Sequence, residues 1–137
     1  MSINNMAVDL FVCTVNGRQI TDWGESATPF TSDPIDPKAV LRRGMGGRAV
    51  VLSRSNNGRR VTFNLNPASP DSAFFQGLLE SQAIITMSTQ QIGTLEAAIA
   101  TEGIIVNDGS LGRGGMTITD DQYIVEFNTY TATKGGE

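Results

Sequence analysis

Histidine is absent from the 137-residue sequence, which removes Ser-His-Asp and Cys-His pairs along with every histidine metal site. Cys13 is the only cysteine, so no intrachain disulfide can form and a cytosolic assembly site fits best. Lys38 and Lys134 are the only lysines. One stands beside a proline loop and the other in a glycine tail, and neither lies in a motif that would desolvate it as a nucleophile. The acids fall mostly in turns or at strand ends rather than in an apolar cleft, which argues against a paired-carboxylate glycosidase. There is no basic-plus-apolar leader and no run of about eighteen apolar residues, so a soluble chain without membrane insertion is expected. No catalytic residue, metal site or cofactor is expected, and the chain reads as a non-enzyme.

Charge is also scarce. Charged residues make up 18% of the chain and apolar residues 39%, with Gly 15 and Pro 5. Such a composition suits many turns and a surface of Ser, Thr, Asn and Gln that is cheaper to bury against a neighbour than a charged one. The length suits a single domain over residues 1–137, with a flexible arm at 1–5 and a flexible tail at 132–137. A net charge of −4 repels nucleic acid. The basic residues Arg42, Arg43, Arg48, Arg54, Arg59 and Arg60 nevertheless cluster in the middle third without interleaved aromatics. Pairing with acidic loops or with adjacent subunits is the reading they favour.

Residues 48–79 carry the clearest local signals. Asn57-Gly58 predicts a two-residue turn, with Arg54 facing Val61, Leu52 facing Phe63 and Val50 facing Leu65 on one ribbon face. The other face would hold Ser53 with Thr62, Val51 with Asn64 and Ser55 with Arg60. Directly afterwards Ser69 can cap a helix, Pro70 suits its first position and Asp71 sits near the positive end of its dipole. Phe74, Phe75, Leu78 and Leu79 recur at the spacing of one helical face, which should pack on a sheet.

In the N-terminal part, Val8, Leu10 and Val12 alternate with Asp9, Phe11 and Cys13, and Asn16-Gly17 predicts a hairpin turn into RQITDWGE. Cys13 reads as a small buried residue and Trp23 as a ring buried against a neighbour. Residues 26–37 contain three prolines and two Asp-Pro pairs and read as a loop, with Asp33 and Asp36 as turn or contact residues rather than metal ligands. Residues 38–47 begin as a short strand and pass into a glycine-rich segment that lacks the phosphate-loop pattern. It reads as a mobile loop that orders against another subunit. After the helix, residues 83–89 read as a strand, 90–94 as a turn and 95–106 as a long strand with a bulge at Gly103. Helix is the competing reading for LEAAIA. Residues 107–115 form a glycine-rich loop, and 116–133 give one short and one long strand, with Tyr123, Val125 and Phe127 on one side.

The order of four segments carries a resemblance: an opening strand ending in VNG, the stretch GMGGRAVVLSRSNNGRRVTFNL, the helix SPDSAFFQGLL and the late strand IVEFNTY. Together they resemble the tail tube proteins of contractile-tailed bacteriophages over nearly the whole chain. The loop at 109–115 departs from that pattern and leaves strand pairing near the end open. The resemblance implies a mainly β fold, a β-sandwich or partly rolled barrel with one flanking α-helix. It further implies a homo-hexameric ring whose copies stack into a hollow helical tube within a virion assembled in the bacterial cytoplasm. Sheath, baseplate or tube-initiator and tape-measure proteins would be its partners, and DNA a non-specific cargo of the lumen. The tube would pierce the host envelope when the sheath contracts. Tubes of contractile bacteriocins and of type VI-like injection particles share the plan and stand as the alternative. A monomeric carbohydrate- or peptide-binding β-sandwich is a third reading, disfavoured because aromatics make up only 7% of the chain and most are explicable as core.

Elementary physics points the same way, since unpaired strand edges are aggregation templates unless a closed ring pairs them. A lumen that lets a polyanion slide should show small polar or acidic side chains. Ser53, Thr62, Asn64, Glu102 and Glu126 are the lumen candidates, with outer solvent or sheath as the opposing assignment. For contacts between rings or subunits the candidates are Ser2, Ile3 and Asn4 in the arm, Leu41, Arg42, Arg43, Met45 and Arg48 in the 39–48 region, and Lys134 in the tail.

Overall fold

The computed structural model describes residues 3, 6–7 and 10–136. In chain order the elements are β1 (Phe11–Val15), β2 (Arg18–Ile20), β3 (Phe30–Pro34), β4 (Ala39–Arg43), β5 (Ala49–Ser53), β6 (Arg59–Leu65), α1 (Pro70–Ser81), β7 (Ile85–Gln91), β8 (Ala97–Asp108) and β9 (Asp121–Thr133). Seven strands form one antiparallel sheet in the order β2-β1-β7-β8-β9-β6-β3, while β4 and β5 pair only with each other.

Local chemistry sets several of these elements. Asn16 (φ 49°) and Gly17 (φ 84°) both adopt positive φ, the requirement of the tight turn that joins β1 to β2. The Asn16 side chain then accepts a bond from the Thr86 amide at 2.8 Å and fastens this turn to β7. In α1, Ser69 accepts from the Ser72 amide at 3.1 Å and Pro70 opens the helix, as the sequence predicts. The long β8 strand also forms as expected, with Glu102 at φ 56° ahead of Gly103 where its register against β7 shifts. Only glycine fits at 103, because a Cβ there would run into the ring of Phe127.

The core lies on the concave side of the rolled sheet. Val61 and Phe63 of β6 stand opposite Val125 and Tyr123 of β9, and Leu65, Phe127, Cys13, Val15, Ile20, Phe75, Ile85, Met87, Ala100 and Ile105 belong to the same buried cluster. The chain leaving β2 crosses back to β6, where Trp23 bridges Leu65 and the Gly24 amide donates to the Asn64 carbonyl at 2.9 Å. Aromatic rings close the roll. Phe11 of β1 lies 5.2 Å from Phe30 of β3 between ring centroids, and Trp23 stacks on Phe63 at 6.2 Å. Phe75 drops from α1 into this lattice, edge-on to Phe63 at 4.8 Å, and adds the offset and T-shaped geometry that aromatic pairs favour.

The predicted hairpin between 48 and 65 does not form. Strand β6 is already occupied on one edge by β3 and on the other by β9, so Val50, Leu52 and Arg54 have no place opposite Leu65, Phe63 and Val61. The stretch 44–48 makes the local turn instead: the Gly44 amide donates to the Arg48 carbonyl at 2.7 Å, and Gly47 takes φ 87°. Strand β5 therefore folds back on β4, pairing Ser53 with Ala39 and Val51 with Leu41. Gly58 does adopt positive φ, but Asn57 is held by Asp36, whose carbonyl accepts from the Asn57 side chain at 3.0 Å. Two smaller corrections follow. Residues 30–34 form a strand rather than loop, with Pro34 tolerated at the end of a strand that has a neighbour on one side only. Residues 116–120 stay irregular, tied by Arg113 to the Thr119 carbonyl, so a single long strand follows the glycine-rich loop.

Asp71 carries more than a helix-dipole role. Its buried carboxylate accepts from the amides of Thr21 (3.0 Å) and Asp22 (2.9 Å) and from the Arg18 guanidinium (2.9 Å). It thus clamps the end of β2 to the start of α1 across about fifty residues of sequence. Burial alone would raise its pKa, but the two amides and Arg18 outweigh burial and hold it below the ordinary carboxylate value. A depressed folded pKa contributes stability that is present above the unfolded value and lost as pH falls through the folded one. Asp71→Asn should cost about 1–3 kcal/mol at neutral pH. Below about pH 4 the wild type should lose stability more steeply than the variant in urea melts, and parallel pH profiles would remove Asp71 from this role.

Candidate functional site

Two surfaces stand out, and neither resembles a catalytic pocket. The first is the outward face of β6, β8 and β9, where side chains alternate away from the core. Thr62 stands opposite Ile124, Asn64 opposite Gln122 and Arg60 opposite Glu126. Glu126 accepts from Arg60 at 2.7 Å, so the one arginine of this face is neutralised in place. Glu102, displaced outward by the bulge, accepts from the Asn128 side chain at 2.8 Å. Four of the five lumen candidates, Thr62, Asn64, Glu102 and Glu126, therefore share one outward face, on which Ile99, Ile104 and Ile124 also stand. Ser53 does not join them, since it ends β5 on the separate β4–β5 ribbon.

That ribbon is the second surface. All ten of its strand residues are exposed, although they include Val40, Leu41, Val50, Val51 and Leu52, with Leu41 60% and Val51 64% accessible. Met45 at its tip is fully exposed. A two-stranded ribbon with both faces in water gains little from its apolar side chains and is marginal by itself. Of the clustered arginines, Arg54 pairs with Asp36 at 3.5 Å, Arg60 with Glu126, and Arg59 donates to Ser32 while its guanidinium lies 4.8 Å above the Tyr130 ring. Arg42, Arg43 and Arg48 form no ion pair among the described residues. Of the remaining candidates, Ile3 is almost wholly exposed and Lys134 is exposed just beyond β9. Ser2 and Asn4 lie outside the described residues.

No group of three or more Cys, Asp or Glu side chains is arranged to hold a metal ion among the described residues. Cys13 is fully buried, and burial pushes its thiol up to about 12, far from a nucleophilic thiolate.

No protein-family model matches the sequence, and no curated protein matches it either. Solved structures do. The fold superposes on a chain of the sheath-tube complex of an extracellular contractile injection system in its extended state, with a TM-score of 0.61 at 10% identity, covering 95% of this chain and 92% of that one. The chain has a tail-tube fold. The tube-terminating cap of the anti-feeding prophage gives a TM-score of 0.59 at 10% identity, over 98% of this chain and 95% of the other. Hcp1 from Flavobacterium johnsoniae gives 0.50 at 13% identity, over 92% and 96%.

Within this tail-tube fold one surface escaped the sequence reading. The loop of residues 109–120 exposes Leu111, Met116 and Ile118, and its backbone is held by the Thr119 side chain, which accepts from the Gly112 amide at 2.9 Å. Three large apolar residues spaced among glycines in a polar loop were the available signal.

Because the ribbon lies outside the core, Leu41→Ser and Val51→Ser should each change the stability of the dissociated subunit by no more than about 1 kcal/mol, the scale of one cross-strand pair. Denaturant melts would check this, and a loss of several kcal/mol would assign the ribbon to the subunit's own core.

Proposed function

We propose that this chain is the subunit of the hollow inner tube of a contractile tail, with six copies closing a ring and the rings stacking into a helical tube. The observation that carries the reading is the β4–β5 ribbon, a segment rich in apolar and cationic residues that the subunit leaves wholly in water. Exposed apolar surface of this kind is explained when another protein covers it. The tail-tube fold supports the same reading by analogy. Strands β2 and β3 each have a neighbour on one side only, and joining such margins between copies would satisfy the backbone groups that one copy leaves open.

In this proposal the outward face bearing Thr62, Asn64, Glu102 and Glu126 lines the channel. Its arginine is already paired, so it offers a sliding polyanion hydroxyls, amides and carboxylates rather than free cations. Ser53 belongs instead to the ribbon surface, with Leu41, Arg42, Arg43, Met45 and Arg48 as contacts between rings. The arm residues Ser2, Ile3 and Asn4 and the tail residue Lys134 are assigned to neighbouring subunits. Sheath, baseplate and tape-measure proteins are the expected partners in a virion, with DNA as cargo and no chemistry performed on it. A second reading, the tube of a phage-derived injection particle, draws on the similar structures, which come from an extracellular contractile injection system and an anti-feeding prophage.

Negative-stain electron microscopy of the purified chain should show rings and hollow filaments. Deleting residues 41–47 removes most of β4 and its turn, and should leave a soluble subunit whose main sheet still melts cooperatively in denaturant but that no longer forms filaments. Filaments of wild-type length from the deletion, or a parent chain that stays monomeric at high concentration, would overturn the reading.

A further inference from the structure

The ribbon and the loop of residues 109–120 lie at opposite ends of the same strand. The ribbon leaves the sheet where Pro34 pairs with Arg59, at the start of β6. The loop begins beyond Asp108 and ends at Asp121, which pairs with Leu65 at the other end of β6. Seven residues of strand at about 3.3 Å each separate the two by roughly 20 Å.

Both ends are apolar, and their charges are opposite. Within residues 36–54, Lys38, Arg42, Arg43, Arg48 and Arg54 stand against Asp36 alone, while Glu102 and Glu126 lie near Asp36 where the ribbon joins the sheet and Glu126 is taken up by Arg60. At the far pole, Asp108, Asp120, Asp121 and Glu25 stand against Arg113. Glu25 belongs to this pole because its amide and that of Ser26 are held by the Asp120 carboxylate. Arg113 is taken up by Asp121 at 2.7 Å, whereas Glu25 and Asp108 form no ion pair among the described residues, as Arg42, Arg43 and Arg48 form none at the other end. Leu111, 69% accessible, and the fully exposed Met116 supply apolar surface beside those acids.

We infer that the ribbon of one copy docks on the acidic, apolar pole of the next copy along the tube, the pole formed by the loop of residues 109–120 with Glu25 and Asp108. This rests on the tube reading and names what the ribbon meets. Two ribbons meeting head to head would bring unpaired arginines together, which like-charge repulsion opposes. Contact between unlike ends of identical molecules does not close on itself and generates an open filament. A net charge of −4 over the whole chain makes the cationic ribbon the segment that the pole of a second copy attracts.

A charge exchange tests the pairing. Arg42→Glu with Arg43→Glu should abolish filaments, with at least a tenfold drop in filament number by electron microscopy, and so should Glu25→Lys with Asp108→Lys. Rings should persist in both. All four substitutions in one chain should restore filaments, because the signs again match. Circular dichroism checks folding, and Arg48→Glu against Glu25→Lys provides a milder second pair if either double variant misfolds. Normal filaments from the pole variant beside a defective ribbon variant would overturn the pairing and leave stacking intact. Failure of the combined variant to recover would also overturn it. Absence of both rings and filaments in the parent chain would instead overturn the tube reading and this inference with it.

Discussion

Strand β6 has two edges, and both are taken within the subunit. With β3 on one side and β9 on the other, it can present Val61, Phe63 and Leu65 to the core, all fully buried. Phe63 then becomes the meeting point of Trp23, Phe30 and Phe75, so the roll of the sheet and the docking of α1 depend on the same ring. The occupied edges also force β5 away. Having no place beside β6, it turns back on β4 and carries its apolar residues into solvent. A well-closed core and an unsatisfied ribbon are consequences of one pairing choice.

The electrostatics follow the same division. Within the subunit three arginines are matched in place: Arg18 by Asp71, which also takes two amides, Arg60 by Glu126 and Arg113 by Asp121. Among the groups that form no ion pair among the described residues, Arg42, Arg43 and Arg48 lie together on the ribbon and Glu25 and Asp108 at the pole. Exposed pairs contribute little to the stability of a folded chain, but opposite signs at opposite ends favour one order of association over others. The outward face of β6 and β9, with its arginine neutralised by Glu126, offers a polyanion no free cation to grip.

What the sequence made legible was local. The turn at Asn16-Gly17, the cap at Ser69-Pro70 and the bulge at Gly103 each require only neighbouring residues, and each forms where the residue types demand it. Period-two alternation correctly set Tyr123, Val125 and Phe127 on one side, and that side is the core face. Alternation states which residues share a face, however, and not which strand lies beside them. Asn57-Gly58 therefore suggested a β5–β6 hairpin, although the local turn at 44–48 and the distant strands β3 and β9 claimed the pairings first. The clamp at Asp71 was hidden for a similar reason, since its partners at Arg18, Thr21 and Asp22 come from the other side of the domain. Among the site candidates, the grouping of Thr62, Asn64 and Glu126 was legible from strand parity. Parity set Glu102 on the face of Ala98 and Ala100, which is the core face, and the bulge turns it outward. The placement of Ser53 depended on the mistaken partner.

Hydrogen–deuterium exchange on the dissociated and assembled protein tests the central claim, that the subunit completes its core without the ribbon and the ribbon is covered by association. The amides of residues 39–53 should exchange far faster than those of β6 in the dissociated subunit, and should become strongly protected in filaments. Ribbon amides protected as well as β6 at low concentration, or left unprotected in filaments, would contradict the account.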